Sequence, residues 1–227
     1  MRRRRAIIVF SVGTIILVLL AGAMPRMIQE SFGHPAQTPT AVSVESSALQ
    51  ALNQLEVKGK APKTGYSRSE FGDGWDSING CTTRNIILHR DLTDVTVDEV
   101  CRVVTGTLHD PYSGETILFS NEKSTDVQID HVVALSDAWQ KGAQQLTKAQ
   151  RQQLANDPLE LLAVSGTQNQ AKSDGDAATW LPKNKAFRCE YVARQIAVKK
   201  KYTLWVTDAE KQAMEGVLRS CPGQALL

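Results

Sequence analysis

The sequence predicts an α+β protein, with a small β-rich half followed by a helical half. Short β-like runs and turn residues occupy the chain between Ile86 and Phe119, whereas the apolar spacing beyond Leu135 is mostly helical. Four cysteines lie far apart in the chain, which favours disulfides over a C-x-x-C site. Hydrophobic residues make up 42% of the chain, enough for a packed core.

Residues 1–24 predict an export segment. Arg2 to Arg5 precede an uncharged, mostly apolar run of 19 residues from Ala6 to Met24. A basic start before an apolar run is typical of a signal peptide, and Ala21-Gly22-Ala23 fits a cleavage site. A run of about 20 apolar residues can also stay in the bilayer as a helix, so a cleaved leader and a retained anchor both stand. Either way, the arginines stay cytoplasmic and the rest of the chain lies outside the membrane.

Residues 25–64 predict a flexible stem with one short helix. Prolines and polar residues dominate its first part, and Leu49, Leu52 and Leu55 then recur at helical spacing between Ala48 and Val57. Residues 65–227 follow as the predicted folded domain, beginning with a glycine-rich stretch.

The elements of this domain are predicted from local patterns. Strands are predicted at Ile86–Leu88, Val100–Val104, Ile117–Phe119, Val127–Asp130 and Leu159–Val164. Helices are predicted at residues 135–145 and 147–156, over a turn and helix that carry Asn169, at 184–201, and from Thr207 toward Cys221. Thr147 with Gln150 and Thr207 with Glu210 are helix-capping signatures.

The cysteines allow three pairings. We favour Cys81–Cys101 and Cys189–Cys221, because each bridge closes a local loop, and four buried free thiols are the alternative. Each bridge would stabilise the fold by roughly 3 kcal/mol through its effect on the unfolded chain.

A strand that ends in Asp130-His131, a second strand, and a helix with Asn169 and Lys172 follow one another within residues 126–175. The motifs Asp130-His131-Val132-Val133 and Asn169-Gln170-Ala171-Lys172-Ser173-Asp174 resemble the HNH (ββα-metal) endonuclease family. The target-strand-cutting domain of RNA-guided CRISPR nucleases has a similar start and end. A wider segment with Trp75, Cys81 to Asn85 and Asp157-Pro158-Leu159 is similar to secreted bacterial HNH nucleases.

The resemblance implies a ββα-metal core that hydrolyses phosphodiester bonds. His131 is the implied general base, since a histidine is largely neutral at pH 7. Asp130 and Asn169 are the implied ligands of Mg²⁺ or Mn²⁺, which prefer hard oxygen donors. Lys172 would contact phosphate or brace the loop.

One position departs from the family pattern. Glu160 stands where the family has the middle asparagine, whose side chain holds the loop that aims the histidine. An ionised glutamate accepts hydrogen bonds but cannot donate them, which puts the orientation of His131 in doubt. Glu160 could instead supply a further acid near the metal. No histidine and cysteine cluster has the ligand spacing of a zinc site.

Charge predicts where nucleic acid would bind. Without the four leader arginines the chain has 22 basic and 24 acidic residues, a net charge of −2, so any affinity for DNA must be local. Residues 183–201 contain seven basic residues against one acid, Glu190. These basic residues are Lys183, Lys185, Arg188, Arg194, Lys199, Lys200 and Lys201, and Arg84 is a weaker candidate for a phosphate contact. A solvated helix face is the plainer explanation of the same pattern.

Two functions remain open on the sequence alone. The first is an exported, metal-dependent endonuclease that cuts DNA, with RNA also a candidate substrate, and reads few or no bases. The second is an extracellular binding module on a catalytically degenerate HNH scaffold, for which Glu160 is the warning sign. A secreted structural domain without a nucleic-acid role is a third possibility.

Overall fold

The computed structural model describes residues 47–227. The helices are α1 (Ser47–Gln54), α2 (Thr83–Asp91), α3 (Leu135–Gln140), α4 (Lys148–Ala155), α5 (Gly166–Lys172), α6 (Arg188–Lys201) and α7 (Asp208–Leu218). The strands are β1 (Ser77–Ile78), β2 (Cys81–Thr82), β3 (Thr93–Val97), β4 (Val103–His109), β5 (Thr116–Ser120), β6 (Val127–His131) and β7 (Leu161–Ser165). Short 3₁₀ turns occupy Arg68–Phe71, Asn121–Lys123, Ala143–Gln145 and Lys185–Phe187. The predicted export segment lies outside the described residues.

The strands form three small antiparallel sheets. β1 pairs with β2, β4 lies between β3 and β5, and β6 pairs with β7. In the last pair Val127 faces Ser165 and His131 faces Leu161, so the two strands are in register along their whole length. The protein is thus a mixed α+β protein, as the sequence predicted.

The β6–β7 pair separates two hydrophobic clusters. Leu161 and Ala163 pack into a smaller cluster with α2, β4 and β5, whereas Leu162 and Val164 pack into a larger cluster with the helices. Successive side chains of a strand point to opposite faces, so a strand buried on both faces is apolar throughout. This explains the unbroken apolar run in β7.

The helix α1, which the sequence assigned to the stem, packs into the larger cluster. Ala48, Ala51 and Leu52 are buried there, and α1 contacts α6 and α7. The division at residue 65 stays a prediction. Within residues 47–227, no helix is both long and apolar enough to cross a membrane.

Both favoured disulfides are present, which confirms the predicted pairing. Cys81–Cys101 joins β2 to the turn before β4, and Cys189–Cys221 joins α6 to the segment after α7. They close loops with sequence separations of 20 and 32 residues.

Several predicted elements were wrong in kind or extent. Ile86–Leu88 lies in helix α2 rather than in a strand, because the Thr82 side chain accepts a hydrogen bond from the Asn85 N–H and caps the helix start. Val100 lies in a turn, where its N–H donates to the Asp98 carboxylate, so β4 begins only at Val103. The helix predicted at 135–145 ends at Gln140, before Gly142, whose φ of 121° is incompatible with a continued helix. The capping interactions of Thr147 and Thr207 are confirmed.

Candidate functional site

The β6–β7 pair and α5 bring the two predicted motifs together. The Ser165 side chain caps α5, which follows β7 without a loop. Gly166 at the helix start donates its N–H to Asp126 O, and a Cβ at this position would collide with the Thr125 carbonyl oxygen. Only glycine fits this close approach, which turns α5 back across β6 and places Asn169 and Lys172 beside it.

A cavity of about 230 Å³ lies at the end of β6, and we call it the first cavity. Asp130, His131 and Asn169 all line it. The other lining residues are Tyr66, Arg68, Ile129, Ala134, Leu135, Ser136, Ser173 and Asp174. Three of the predicted site residues from two distant stretches therefore share one polar cavity.

The carboxylate of Asp130 is held by two donors. The Tyr112 hydroxyl donates to Oδ2 at 2.5 Å, and Lys172 Nζ donates to Oδ1 at 2.9 Å. Burial raises the pKa of Asp130, although the charge of Lys172 and the Tyr112 hydrogen bond oppose this shift. A carboxylate has about four lone-pair sites, so these two donors leave sites for a cation in the first cavity.

Lys172 lies behind the site rather than in it. Its side chain is fully buried, and Nζ donates to Asp130 Oδ1 and, at 2.8 Å, to the His131 carbonyl. It is not among the residues that line the first cavity. Lys172 therefore fixes both residues of the Asp-His pair, which favours the predicted bracing role over a phosphate contact.

The imidazole of His131 is oriented by a backbone carbonyl. Nε2 lies 3.0 Å from Ala155 O, so Nε2 carries the proton and donates, and Nδ1 carries the free lone pair. The ring also stacks on Trp75, with centroids 5.7 Å apart and planes 7° apart. Burial, followed by the charges of Arg68 and Lys172, lowers the pKa of His131 to about 3. The ring is therefore neutral at physiological pH.

Glu160 lies in the interior of the protein, which is unusual for an acidic residue. Its side chain is fully buried, and Oε2 accepts a hydrogen bond from Val133 N at 3.2 Å. Its backbone carbonyl accepts a second hydrogen bond, from Val132 N, at 2.9 Å. Burial raises the pKa of Glu160 well above its usual value, which favours the protonated acid over the ionised acceptor expected from sequence. It does not line the first cavity but holds the chain that directly follows His131.

Asn169 presents its amide oxygen to the site. Its Nδ2 donates to Gln128 Oε1 at 2.9 Å, which leaves Oδ1 as the group free to coordinate a cation. Gln128 and Asp130 lie on the same face of β6, so one strand face orients the asparagine and carries the carboxylate.

A second group of acidic side chains is close enough to share a cation but is paired with lysines instead. Ligand atoms of Asp137, Asp176 and Glu210 lie within 4.8 Å of one another. Lys141 Nζ contacts all three, at 2.8, 2.8 and 2.7 Å, and Lys199 Nζ lies 3.0 Å from Glu210. The lysines compensate the buried negative charge, so this group is a buried ion-pair network.

The predicted basic patch is not continuous. Lys199 is wholly buried, and its ammonium pairs with the buried carboxylate of Glu210. It faces the interior, which corrects its prediction as a nucleic-acid contact. Four others are tied to the protein: Arg188 to Pro182 O, Arg194 to Leu159 O, Lys200 to Gln54 Oε1, and Lys201 to Asp157. Lys183, Lys185 and Lys200 are exposed.

Arg84 is also engaged, since its guanidinium donates to the Ser124 and Val127 carbonyls, both at 3.2 Å. It supports the start of β6, and its burial lowers its pKa. Its role as a phosphate contact stays a prediction.

Sequence reasoning missed Tyr112 and Arg68. Tyr112 was part of a predicted turn, and only the fold brings its hydroxyl to Asp130, 18 residues away. Arg68 is exposed at the edge of the first cavity, and no local pattern distinguishes it from other surface arginines.

Comparison with known proteins gives the family of the chain. Residues 82–217 match the family "GmrSD restriction endonucleases, C-terminal domain". The chain is 41% identical over 190 residues to an "Uncharacterized secreted protein" of Arthroderma benhamiae, which covers 82% of this chain and 91% of that protein. No solved structure matches the chain. The resemblance to an endonuclease family is thereby confirmed, and the chain belongs to the family of GmrSD restriction endonuclease C-terminal domains.

Proposed function

We propose that this protein is an exported endonuclease that hydrolyses phosphodiester bonds of DNA at a ββα-metal centre of the HNH type. The observation that carries the proposal is the meeting of Asp130, His131 and Asn169 at one polar cavity. The family match supports nuclease chemistry. The HNH type is supported by the antiparallel β6–β7 pair with α5 directly after β7, although α3 and α4 lie between the two strands in the chain. Export is supported by the basic and apolar N-terminal sequence and by the secreted relative.

His131 acts as the general base. Its Nε2–H is used by Ala155 O, so Nδ1 accepts the proton of the attacking water. The low pKa of His131 keeps this lone pair available at neutral pH, and Lys172 restrains the backbone of the same residue.

The donor set of the first cavity fits a hard divalent cation. Asp130 offers a carboxylate and Asn169 an amide oxygen, the ligand types that suit Mg²⁺ or Mn²⁺. Such a cation, when bound, supplies Lewis-acid stabilisation of the phosphoryl and leaving oxygens. The protein contributes the placement: Tyr112 and Lys172 fix the carboxylate, and Gln128 fixes the amide.

Glu160 and Lys172 are positioning residues in this account. The Glu160 side chain accepts a hydrogen bond from Val133 N and so holds the chain after His131, the role of the side chain of the family's middle asparagine. This contact favours a working centre over a degenerate one. Lys172 also reduces the electrostatic cost of burying Asp130.

We expect little sequence specificity. Lys183, Lys185 and Lys200 are exposed and can contact phosphates without reading bases. DNA is the proposed substrate, and RNA is the second substrate to assay.

Plasmid digestion by the purified protein tests the proposal. With Mg²⁺ or Mn²⁺ the wild type should nick supercoiled DNA, and a chelator should stop the reaction. His131→Ala should be inactive, whereas His89→Ala, which removes an exposed histidine from α2, should match the wild type. Loss of general-base catalysis typically slows a reaction by about 10²–10⁴-fold. DNA binding without turnover in either metal would overturn the proposal and favour a binding module.

A further inference from the structure

A second cavity adjoins the first and has no role in the account above. Its volume is about 160 Å³, and Arg68, His131 and Leu135 line both cavities. Asp130 and Asn169 line the first cavity only, so the proposed metal ligands do not line the second cavity. His131 is one of the residues at the border, so a substrate that occupies both cavities lies beside the proposed general base.

The walls of the second cavity are apolar and aromatic. Phe71, Leu135 and Ala155 belong to the larger hydrophobic cluster, and Trp75 packs against the smaller one, so the cavity opens at the seam between them. The Trp75 indole is only partly buried and lies parallel to the His131 ring. Pockets for drug-sized ligands have volumes of about 300–1,000 Å³, so this cavity suits a single planar ring system.

Arg68 and Gly74 add a positive charge and an opening to the second cavity. Arg68 is exposed at the border of the two cavities, where its guanidinium can face a phosphate that lies between them. Gly74 lines the second cavity, and no atom lies within 4 Å of where its Cβ would be, so this wall leaves room for a chain to enter. An apolar ring with a phosphate beside it is the chemistry of a nucleotide.

We propose that the second cavity binds a nucleobase next to the scissile phosphate, stacked against Trp75. This inference rests on the proposed function, because it needs a nucleic-acid chain that crosses His131. Every base has a π-face, so the subsite adds affinity without sequence preference. Because the basic residues of 183–201 do not form a continuous patch, the subsite would be the main contact for a single strand of nucleic acid.

Binding of short single strands tests the subsite without cleavage. Fluorescence anisotropy in EDTA measures the affinity for a labelled thymidine tetranucleotide and for an abasic tetramer with the same sugar-phosphate backbone. Stacking of one base on an aromatic side chain corresponds to about a 5- to 150-fold gain in affinity. The wild type should prefer the base-containing tetramer by a factor in this range, and Trp75→Phe should keep most of the preference.

Two variants should abolish the preference. Trp75→Ala removes the stacking surface, and Ala155→Val narrows the cavity while it keeps the carbonyl that holds His131. Whichever of the two retains the wild-type melting temperature is the decisive variant. Equal binding of both tetramers by the wild type, or an unchanged preference in the decisive variant, overturns the subsite. Base-dependent binding without Mn²⁺-dependent cleavage of plasmid DNA leaves the subsite standing and refutes the proposed function.

Discussion

Replacement of Lys172 by methionine tests how the Asp130–His131 pair is held. The change keeps most of the side-chain volume but removes the ammonium that lies 2.9 Å from Asp130 Oδ1 and 2.8 Å from His131 O. Breaking a buried ion pair by the loss of one partner costs about 3–5 kcal/mol, because the other charge stays buried without compensation. For a domain of this size, the melting temperature should fall by about 6–20 °C, at about 2–4 °C per kcal/mol.

The matched control is Lys63→Met. Lys63 Nζ also lies 2.9 Å from a carboxylate oxygen, that of Asp174, but the two side chains are 51% and 55% exposed. Water compensates the charge that is left behind, so its melting temperature should stay at the wild-type value. Differential scanning calorimetry of both variants gives the comparison. The reasoning about burial is refuted if the two substitutions shift the melting temperature equally.

Three further predictions concern stability. Burial favours the neutral form of Asp176, but Lys141 lowers its pKa to about 2, so Asp176→Asn should lower the free energy of unfolding by about 2 kcal/mol at pH 7. This deficit should vanish as pH falls from about 4 to 2. Urea unfolding across this range measures the deficit, and a constant deficit would contradict the prediction. Glu160 has a raised pKa, so the fold loses stability as pH rises above about 4.5 until the folded acid ionises. Over that interval Glu160→Gln should gain on the wild type by about 1.4 kcal/mol per pH unit in urea unfolding, and the gain should then level off. Parallel pH profiles of the two proteins would contradict the raised pKa. The double variant Cys189→Ser/Cys221→Ser opens a loop with a sequence separation of 32, and its free energy of unfolding in urea should fall by about 4 kcal/mol. A longer loop restricts the unfolded chain more, so this loss should exceed that of the matching serine variant of Cys81 and Cys101. A smaller loss would contradict the dependence on loop length.

The sequence predicted the parts of the site that depend on local chemistry. β6 and the capped helices follow from periodicity and capping residues, whereas Asp130, His131 and Asn169 were implied by the resemblance to the HNH family. The disulfides followed from loop length. These features need information from neighbouring residues only, or from a pattern that a family shares.

Other features depend on tertiary contacts that no local pattern carries. The run Ile86–Leu88 has β-branched residues but lies in α2, because the Thr82 cap and burial of Ile87 and Leu88 outweigh intrinsic preference. Lys199 is one of three consecutive lysines, and only its place on α6 opposite Glu210 makes it internal. The raised pKa of Glu160 likewise follows from complete burial, which its sequence neighbours do not reveal.

The most direct test of the metal centre is calorimetric titration of Mn²⁺, combined with DNA cleavage by the same samples. The account predicts a single Mn²⁺ site that is lost in Asp130→Asn and weakened in Asn169→Ala. His131→Ala should keep the affinity of the wild type for Mn²⁺ while it fails to cleave. Unchanged Mn²⁺ binding in Asp130→Asn, or full cleavage by His131→Ala, would contradict the assignment of ligand and base to these neighbouring residues.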